Sequence, residues 1–277
     1  MERPNVMEVR VLEKTNLNAR LIIEGADTPY MNALRRIMLA EVPSMAIDEV
    51  VFIENSSMLH DEILAHRLGL IPLKTDLDTY NLPDECPCKS EFGCNLCRVG
   101  LTLEAEATEK TTTVYSRDLH SDNPDIIPVS DKIPLVKLAP DQKIKLEAYA
   151  RLGKGKDHAK WQPVSSCTYR YMPEIEVDEE RCDLCGECVT VCPKRILVTN
   201  NKKIELRNTI DCTLCQDCVD ACPKDPPAIK IEGDRNTFIL NIESSGALSV
   251  ERILLEAINL IDKKSEEFVK QLKAMEK

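Results

Sequence analysis

The stretch CDLCGECVTVCP at residues 182–193 recurs as CTLCQDCVDACP at residues 212–223. In both copies the cysteines follow the spacing C-x2-C-x2-C-x3-C-P, and the second copy begins 30 residues after the first. A unit of that length is a single supersecondary element, which is too small to bury a hydrophobic core alone. The two copies are therefore expected to fold as a pair.

The spacing of these cysteines indicates an iron-sulfur site. Structural zinc is usually bound by cysteines in two separated pairs, whereas three thiolates in one tight loop with a later Cys-Pro are typical of 4Fe-4S ligation. Zinc and a disulfide framework are the alternatives, and neither accounts well for a run of three cysteines at this spacing. Residues 171–225 resemble bacterial-type two-cluster ferredoxins.

In two-cluster ferredoxins the fourth cysteine of each motif ligates the other cluster. The resemblance therefore implies two 4Fe-4S clusters with crossed ligation, which would join the two copies through metal. The ligands of the first cluster are then Cys182, Cys185, Cys188 and Cys222. The ligands of the second cluster are Cys192, Cys212, Cys215 and Cys218.

Composition and charge limit the function of the rest of the chain. Its 277 residues are enough for about two domains, and a hydrophobic content of 43% is that of an ordinary globular protein. The 36 basic and 47 acidic residues give a net charge of −11, which argues against a principal role in binding nucleic acid. Little or no direct DNA contact is expected.

The sequence predicts a cytoplasmic protein that does not bind membranes. It has no apolar run near the roughly 18 residues of a membrane span, and its first residues, MERPNVMEVRVLEK, lack the apolar core of a signal peptide. In a reducing compartment, the 13 cysteines are better explained as metal ligands than as disulfides.

The first 45 residues predict a β-hairpin and one helix. Alternating apolar residues between positions 6 and 24 surround a turn at residues 15–16. Thr28 is the predicted N-cap of a helix that Pro43 ends. The apolar face of this helix consists of Tyr30, Leu34, Ile37 and Met38.

The next segment predicts a mostly antiparallel β domain. Residues 46–54 have the pattern of a strand, residues 60–70 that of a short helix, and several alternating runs follow between residues 99 and 150. The loop GKGKDHAKW at residues 153–161 lacks the G-x4-G-K-[ST] spacing of a phosphate loop. We interpret it as a basic contact loop.

Four cysteines with the spacing C-x-C-x5-C-x2-C lie in a polar loop of the same segment, namely Cys86, Cys88, Cys94 and Cys97. Four thiols within so short a loop suit a closed tetrahedral zinc site. The C-x-C spacing is tighter than is usual in zinc fingers, so a free loop or one with another metal is the alternative.

The C-terminal residues predict one strand and one long helix. Residues 236–243 alternate as a strand does, and Ser249 is the predicted N-cap of the helix. A helix of ~27 residues would be about 40 Å long, so part of its apolar stripe is expected to face a partner. A core helix with a frayed end is the alternative. The apolar positions include Val250, Leu254, Ile258, Ile261, Phe268 and Leu272.

Three stretches together resemble the alpha-like D family of archaeal DNA-directed RNA polymerase subunits, which is related to bacterial alpha. They are NALRRIMLAEVP at 32–43, HDEILAHRLGLIPL at 60–73 and FILNIESSGALSVERILLEAINLI at 238–261. The resemblance covers nearly the whole chain. It implies an α+β fold with a discontinuous dimerisation domain (1–45 and 226–277), an inserted β domain (46–170) and an inserted ferredoxin-like domain (171–225).

The resemblance also implies partners and a role. Family members pair with a smaller alpha-like subunit, L, and with subunits N and P they form the platform on which the large catalytic subunits assemble. The chain is then non-catalytic, and its clusters are structural or regulatory for assembly. The residues predicted to form the dimer interface are Leu34, Ile37, Met38, Val250, Leu254, Ile258 and Ile261.

A competing hypothesis is an electron-transfer subunit of an oxidoreductase. The ferredoxin-like motif supports it. No G-x-G-x-x-G dinucleotide fingerprint accompanies the cysteines, and the ferredoxin-like segment is a small part of the chain. The polymerase hypothesis accounts for more of the residues.

Overall fold

The computed structural model describes residues 7–90, 92–200 and 203–275. Within these ranges the α-helices are α1 (Thr28–Ala40), α2 (Asp61–Gly69), α3 (Glu187–Val191), α4 (Asp217–Asp220) and α5 (Val250–Met275). The first strands are β1 (Glu8–Lys14), β2 (Asn18–Glu24), β3 (Pro43–Asn55), β4 (Val99–Ala107), β5 (Thr112–Tyr115) and β6 (His120–Ser121). The remaining strands are β7 (Pro134–Leu138), β8 (Gln142–Lys154), β9 (Val164–Val177), β10 (Leu197–Asn200), β11 (Lys203–Leu206) and β12 (Ile229–Ser244).

The chain divides into two compact units. Unit 1 consists of Met1–Leu12, Arg20–Met31 and Tyr169–Leu240. Unit 2 consists of Glu13–Ala19, Asn32–Thr168 and Asn241–Lys277. These two units are distinguished by their compactness alone. The three domains expected from the sequence remain a prediction, with bounds 1–45 plus 226–277, 46–170 and 171–225.

Unit 2 is built on an antiparallel sheet with the strand order β3-β8-β4-β6. The pairing of β8 with β3 runs from Pro43 opposite Lys154 to Asn55 opposite Ile144. Alternate side chains of β8 enter the core, as one-sided burial of an antiparallel strand requires. β5 and β7 form a second antiparallel pair beside it. The predicted mostly antiparallel β region is confirmed.

The core of unit 2 is apolar and extensive. It packs β3, β4, β7 and β8 against α2, which buries Leu64 and Leu68. Leu101 and Leu146 are among its fully enclosed side chains. Complete burial of such a side chain stabilises a fold by roughly 1.5–3 kcal/mol. This part of the molecule therefore has a hydrophobic core of its own.

The N-terminal elements agree with the sequence except at one helix cap. β1 and β2 form the expected hairpin, with the Thr15 N–H donating to the Asn18 carbonyl across 2.7 Å. Asp27, not Thr28, caps α1, because its carboxylate accepts the N–H of Tyr30 at 2.8 Å. Thr28 is already inside the helix. Asp and Thr are both good N-cap residues, so the spacing alone could not separate them.

The long C-terminal helix is present as predicted. α5 has 26 residues and is about 39 Å long. It begins after Ser249, whose hydroxyl accepts the N–H of Arg252 at 3.2 Å. Every described residue from 262 to 275 is exposed. Among the residues described, no helix combines the length and apolar character that crossing a bilayer requires.

A second sheet has the strand order β1-β2-β12-β9. Most of its residues belong to unit 1. β1 lies at one edge and all seven of its residues are exposed. The short hairpin β10–β11 pairs Leu197 with Leu206, and α3 packs on α4. α3 contains Cys188 and α4 contains Cys218, and the other cysteines of the duplicated motifs lie in the loops around them.

Candidate metal centres

The two cysteine motifs fold in the same way. Leu184 and Leu214, which occupy the same position of each copy, have φ angles of 62° and 58°. Gly186 and Gln216 follow at 80° and 69°, immediately before α3 and α4. A left-handed conformation costs an L-residue roughly 1–2 kcal/mol, and such strain is concentrated at functional sites. Both loops are therefore bent in a way that regular structure does not explain.

The four cysteines predicted for the first cluster line one cavity. Cys182, Cys185, Cys188 and Cys222 surround an opening of about 380 Å³ together with the apolar side chains of Val177, Ile204 and Ile229. Burial, followed by the charges of the three neighbouring thiols, raises the pKa of Cys188. Three of these residues come from the first motif and one from the second, as crossed ligation requires.

The four cysteines predicted for the second cluster also lie near one another. Burial raises the pKa of the Cys218 thiol to about 11, and the nearby Cys192, Cys215 and Cys212 contribute in the same direction. Cys192, Cys212 and Cys218 are buried, whereas Cys215 is exposed. One cysteine here comes from the first motif and three from the second.

The spacing of the sulfur atoms distinguishes these sites from a site for a single ion. Among the described residues, a set of sulfur atoms within 4.8 Å of one another occurs at Cys86, Cys88, Cys94 and Cys97, and the motif cysteines form no such set. A four-iron cluster binds each thiolate at a different iron atom, so its sulfur ligands lie farther apart than those of one zinc ion. Backbone N–H groups also point at sulfur, from Ala228 to Cys222 at 3.3 Å. The residues present fit 4Fe-4S groups.

Charged groups beside the two cysteine sets differ. Near the first set, Lys224 and Asp183 form an ion pair at 2.9 Å. Near the second set, Arg20 pairs with Asp211 at 2.9 Å, and Arg170 donates to the carbonyl oxygens of Ile210 and Cys212. Neither arginine was predictable from the sequence, because a polar residue on an alternating strand is normally only a solvent-facing position.

The four-cysteine loop has the geometry of a tetrahedral site. Distances between sulfur atoms are 3.7 Å for Cys86 and Cys94, 3.8 Å for Cys88 and Cys97, and 3.9 Å for Cys94 and Cys97. Zinc–sulfur bonds of about 2.3 Å at tetrahedral angles place sulfurs about 3.8 Å apart. These three distances are those that one zinc ion requires, and all four sulfurs lie within 4.8 Å of one another.

The ionisation of these thiols also favours a cation. The hydrogen bond from the Ser90 backbone is the largest cause that lowers the pKa of Cys88 to about 7. A hydrogen bond from the Cys88 backbone favours the Cys86 thiolate, but burial and the three other thiols raise the pKa of Cys86 to about 12. Four thiolates this close repel one another, and a bound dication would compensate their charge.

A single arginine attaches this loop to the sheet of unit 2. The Arg98 guanidinium lies 3.6 Å from the centre of the Tyr149 ring, donates to the Phe92 carbonyl at 2.6 Å and pairs with Glu49 at 3.1 Å. Arginine stacked on an aromatic ring is favourable because the ring face is negative. The loop is thus held at its C-terminal end.

The loop at residues 153–161 is less available for contacts than its sequence suggests. Lys160 is mostly buried and pairs with Asp48 at 2.5 Å. A side chain at Gly153 would come within 2.3 Å of the Trp161 ring. One at Gly155 would come within 2.1 Å of the Leu39 carbonyl oxygen. These glycines serve close packing, and the interpretation as a basic contact loop is wrong for Lys160.

The residues predicted for the dimer interface separate into two groups. Leu34, Ile37, Met38 and Val250 are buried within the chain itself. Leu254 and Ile261 are half-buried and Ile258 is 46% exposed. The exposed apolar residues farther along α5 are Phe268, Val269, Leu272 and Met275.

Comparisons with known proteins identify two related domains and several relatives of nearly the whole chain. Residues 49–178 match the RNA polymerase Rpb3/RpoA insert domain, and residues 181–226 match a 4Fe-4S dicluster domain. The chain is similar to DNA-directed RNA polymerase subunit Rpo3 of Methanosphaera stadtmanae (38% identical, 95% of this chain and 97% of the relative). It is also similar to the same subunit of Archaeoglobus fulgidus (41%, 95% and 97%) and of Pyrobaculum arsenaticum (37%, 95% and 95%). These relatives do not favour the electron-transfer hypothesis.

Proposed function

The chain belongs to the Rpo3 family of DNA-directed RNA polymerase subunits, and we propose that it is a non-catalytic assembly subunit of a cytoplasmic archaeal polymerase. In this role it pairs with the smaller alpha-like subunit L. With subunits N and P, the pair receives the two large catalytic subunits. The observation that carries this proposal is the exposed apolar seam of α5.

The seam follows a heptad spacing of alternating four and three residues. Its positions are Leu254, Ile258, Ile261, Ser265, Phe268, Leu272 and Met275. Such spacing favours packing against a second helix. Six of the seven positions are apolar and Ser265 is the exception. Phe268 is 62% exposed and Met275 is 84% exposed, and exposed apolar side chains grouped on one helix face are typical of an interaction site. The partner helix would cover the outer half of α5.

The proposal assigns the clusters a role in structure or assembly. Nucleotidyl transfer moves no electrons, so redox turnover has no place in the reaction of the polymerase. Two 4Fe-4S clusters, one on Cys182, Cys185, Cys188 and Cys222 and the other on Cys192, Cys212, Cys215 and Cys218, would instead complete the core of their segment. A zinc ion on Cys86, Cys88, Cys94 and Cys97 would order that loop.

A test of the seam uses Ile258→Asp together with Phe268→Asp, because both side chains are exposed and the isolated chain should still fold. Two charges in the covered seam would be buried without partners, which costs several kcal/mol. We expect the variant to lose subunit L on gel filtration while keeping its own melting temperature. Lys270→Asp, on the opposite side of the same turn, is the control and should retain L. Normal comigration of the double variant would place the interface elsewhere.

The assembly role is tested by reconstitution from purified subunits. The double variant Ile258→Asp, Phe268→Asp should fail to recruit the large subunits. The wild-type chain with L, N and P should recruit them. Metal analysis of protein purified without oxygen should give about one zinc per chain. Cys97→Ser should remove that zinc and leave the iron content unchanged. Zinc at wild-type level in this variant would contradict the assignment of the loop.

A further inference from the structure

Two arginines from distant parts of the sequence meet at the start of the second cysteine motif. Arg20 on β2 donates to Asp211 at 2.9 Å and to the Ile210 carbonyl at 3.4 Å. Arg170 on β9 donates to the same Ile210 carbonyl and to that of Cys212. Both guanidinium groups therefore hold the backbone that leads into Cys212.

The charges at this position do not balance. Arg20 pairs with Asp211 at 2.9 Å, whereas the hydrogen-bond acceptors of Arg170 in the described part of the chain are the neutral carbonyls of Ile210 and Cys212. The side chain of Arg20 is only 30% exposed, and its Nε atom is fully buried with no hydrogen-bond partner in the described part of the chain. A buried donor without a partner is destabilising, and more so where the group is charged. A nearby anion would compensate the charge of Arg170 and favour this unpartnered donor of Arg20.

We propose that the 4Fe-4S cluster on Cys192, Cys212, Cys215 and Cys218 is this anion, and that Arg20 and Arg170 are its positioning residues. The inference rests on the proposed function in one respect, that the second cysteine set holds a cluster. Four thiolates carry more negative charge than the iron-sulfur core carries positive charge, so the whole group is anionic. Net charge and hydrogen bonds at such a group set its reduction potential.

The first cysteine set provides an internal comparison. Its neighbouring cation, Lys224, already pairs with Asp183 at 2.9 Å, so a carboxylate compensates that positive charge. We therefore expect the second cluster to have the higher reduction potential of the two, because adding an electron increases negative charge where positive charge is in excess. The two clusters are chemically different even though their motifs are copies.

The test is a potentiometric titration of the holoprotein with dithionite, which supplies one electron to each cluster, followed by electron paramagnetic resonance. Arg20→Gln should lower the equilibrium constant for reduction of the higher-potential cluster about tenfold, which is about 59 mV for a one-electron couple. Arg170→Gln should act in the same direction. Neither change should shift the other cluster.

Two variants separate charge from structure. Arg170→Lys keeps the positive charge but lacks the two nitrogens that donate to the two carbonyls, so it should restore most of the potential if charge is the cause. Lys224→Met should shift the lower-potential cluster instead. Unchanged potentials in Arg20→Gln and Arg170→Gln, or equal shifts of both clusters, would overturn the inference.

Iron analysis distinguishes failure of the inference from failure of the proposed function. Wild-type protein should contain about eight irons per chain if both clusters are present, and Cys215→Ser should lose about half of them. Four irons in the wild type, unaffected by Cys215→Ser, would mean that the second site holds no cluster and would refute that part of the proposed function. Eight irons with insensitive potentials would refute only the role of the arginines.

Discussion

The buried cores of the two units differ in their residue composition. In unit 2 the buried cluster around β3, β4 and β8 contains 22 residues, and none of them is a cysteine. In unit 1 the core around the cysteine motifs contains eight buried residues, and three of these are cysteines. The first core consists of apolar side chains alone, whereas the second contains cysteines from a segment that matches a 4Fe-4S dicluster domain.

This difference explains how so short a segment can fold. Small segments bury too little apolar surface to offset the entropy of ordering the chain. Metal binding supplies the missing free energy in such segments, and folding is then coupled to it. Metal removal is therefore expected to destabilise mainly the cysteine segment of unit 1. Truncation of a buried apolar side chain in the sheet is expected to destabilise mainly unit 2.

Loss of a cluster should have the largest effect. Cys212→Ser removes a ligand, and we expect amide protection in β10 and β11 to disappear in hydrogen exchange while protection in β8 persists. The physical reason is that the ligand set is part of the core of this segment. Cys167→Ala is the matched control, because Cys167 is a buried thiol outside both motifs. Retained protection in β10 after iron loss would show that the segment folds without metal.

Truncation in the sheet of unit 2 should have the next largest effect. Leu101 is completely buried, and Leu101→Ala should lower the free energy of unfolding of unit 2 by about 2–5 kcal/mol through lost burial and the cavity left behind. Iron content should stay at the wild-type value. Calorimetry and iron analysis of the same sample check both statements, and parallel loss of iron would contradict the comparison.

Replacing Asp48, a partly buried acid of unit 2, should lower the free energy of unfolding by less than Leu101→Ala does. Although burial opposes it, the hydrogen bond and charge of Lys160, with those of Arg151, lower the pKa of Asp48 below its ordinary 3.8. Asp48→Asn leaves the mostly buried Lys160 unpaired and should cost about 2 kcal/mol at neutral pH, less than the 3–5 kcal/mol of a fully buried pair.

The same substitution has a predictable pH dependence. Because the folded state lowers the pKa, the carboxylate contributes stability above about pH 4, and that contribution is lost as pH falls through the lowered folded value. Urea unfolding at pH 7 and at pH 3 should therefore show a smaller difference between wild type and Asp48→Asn at the lower pH. A constant difference would exclude the ion pair as its cause.

The smallest effect is expected at the cap of α5. Ser249→Ala removes the side-chain acceptor for the Arg252 N–H and should lower the stability of unit 2 by about 1 kcal/mol. Ser249→Asp keeps an acceptor and should restore the melting temperature. Iron and zinc contents should not change in either variant.

Local patterns made most elements predictable. The alternation of β8, the cap and length of α5, and the duplicated cysteine spacing each lie within a short stretch of sequence. The cap of α1 was misplaced by one residue, at Thr28 in place of Asp27, because both residue types suit the position.

Long-range pairing was not predictable from spacing. Arg20 and Arg170 lie on separate strands and meet only in the folded chain. Lys160 belongs to a stretch that is basic in sequence, yet it pairs with Asp48. Burial of Leu34 and Val250 within the chain likewise depends on which faces pack together, which amphipathic spacing does not specify.

The exposed first strand has a consequence for how much of this protein a cell can make. β1 lies at a sheet edge and exposes Val9 at 57% and Val11 at 54%. Such an edge is a template on which the same strand of another copy can pair. Chains synthesised in excess of their partners would therefore accumulate as self-associated material, and balanced synthesis of all subunits would set the usable supply of this one.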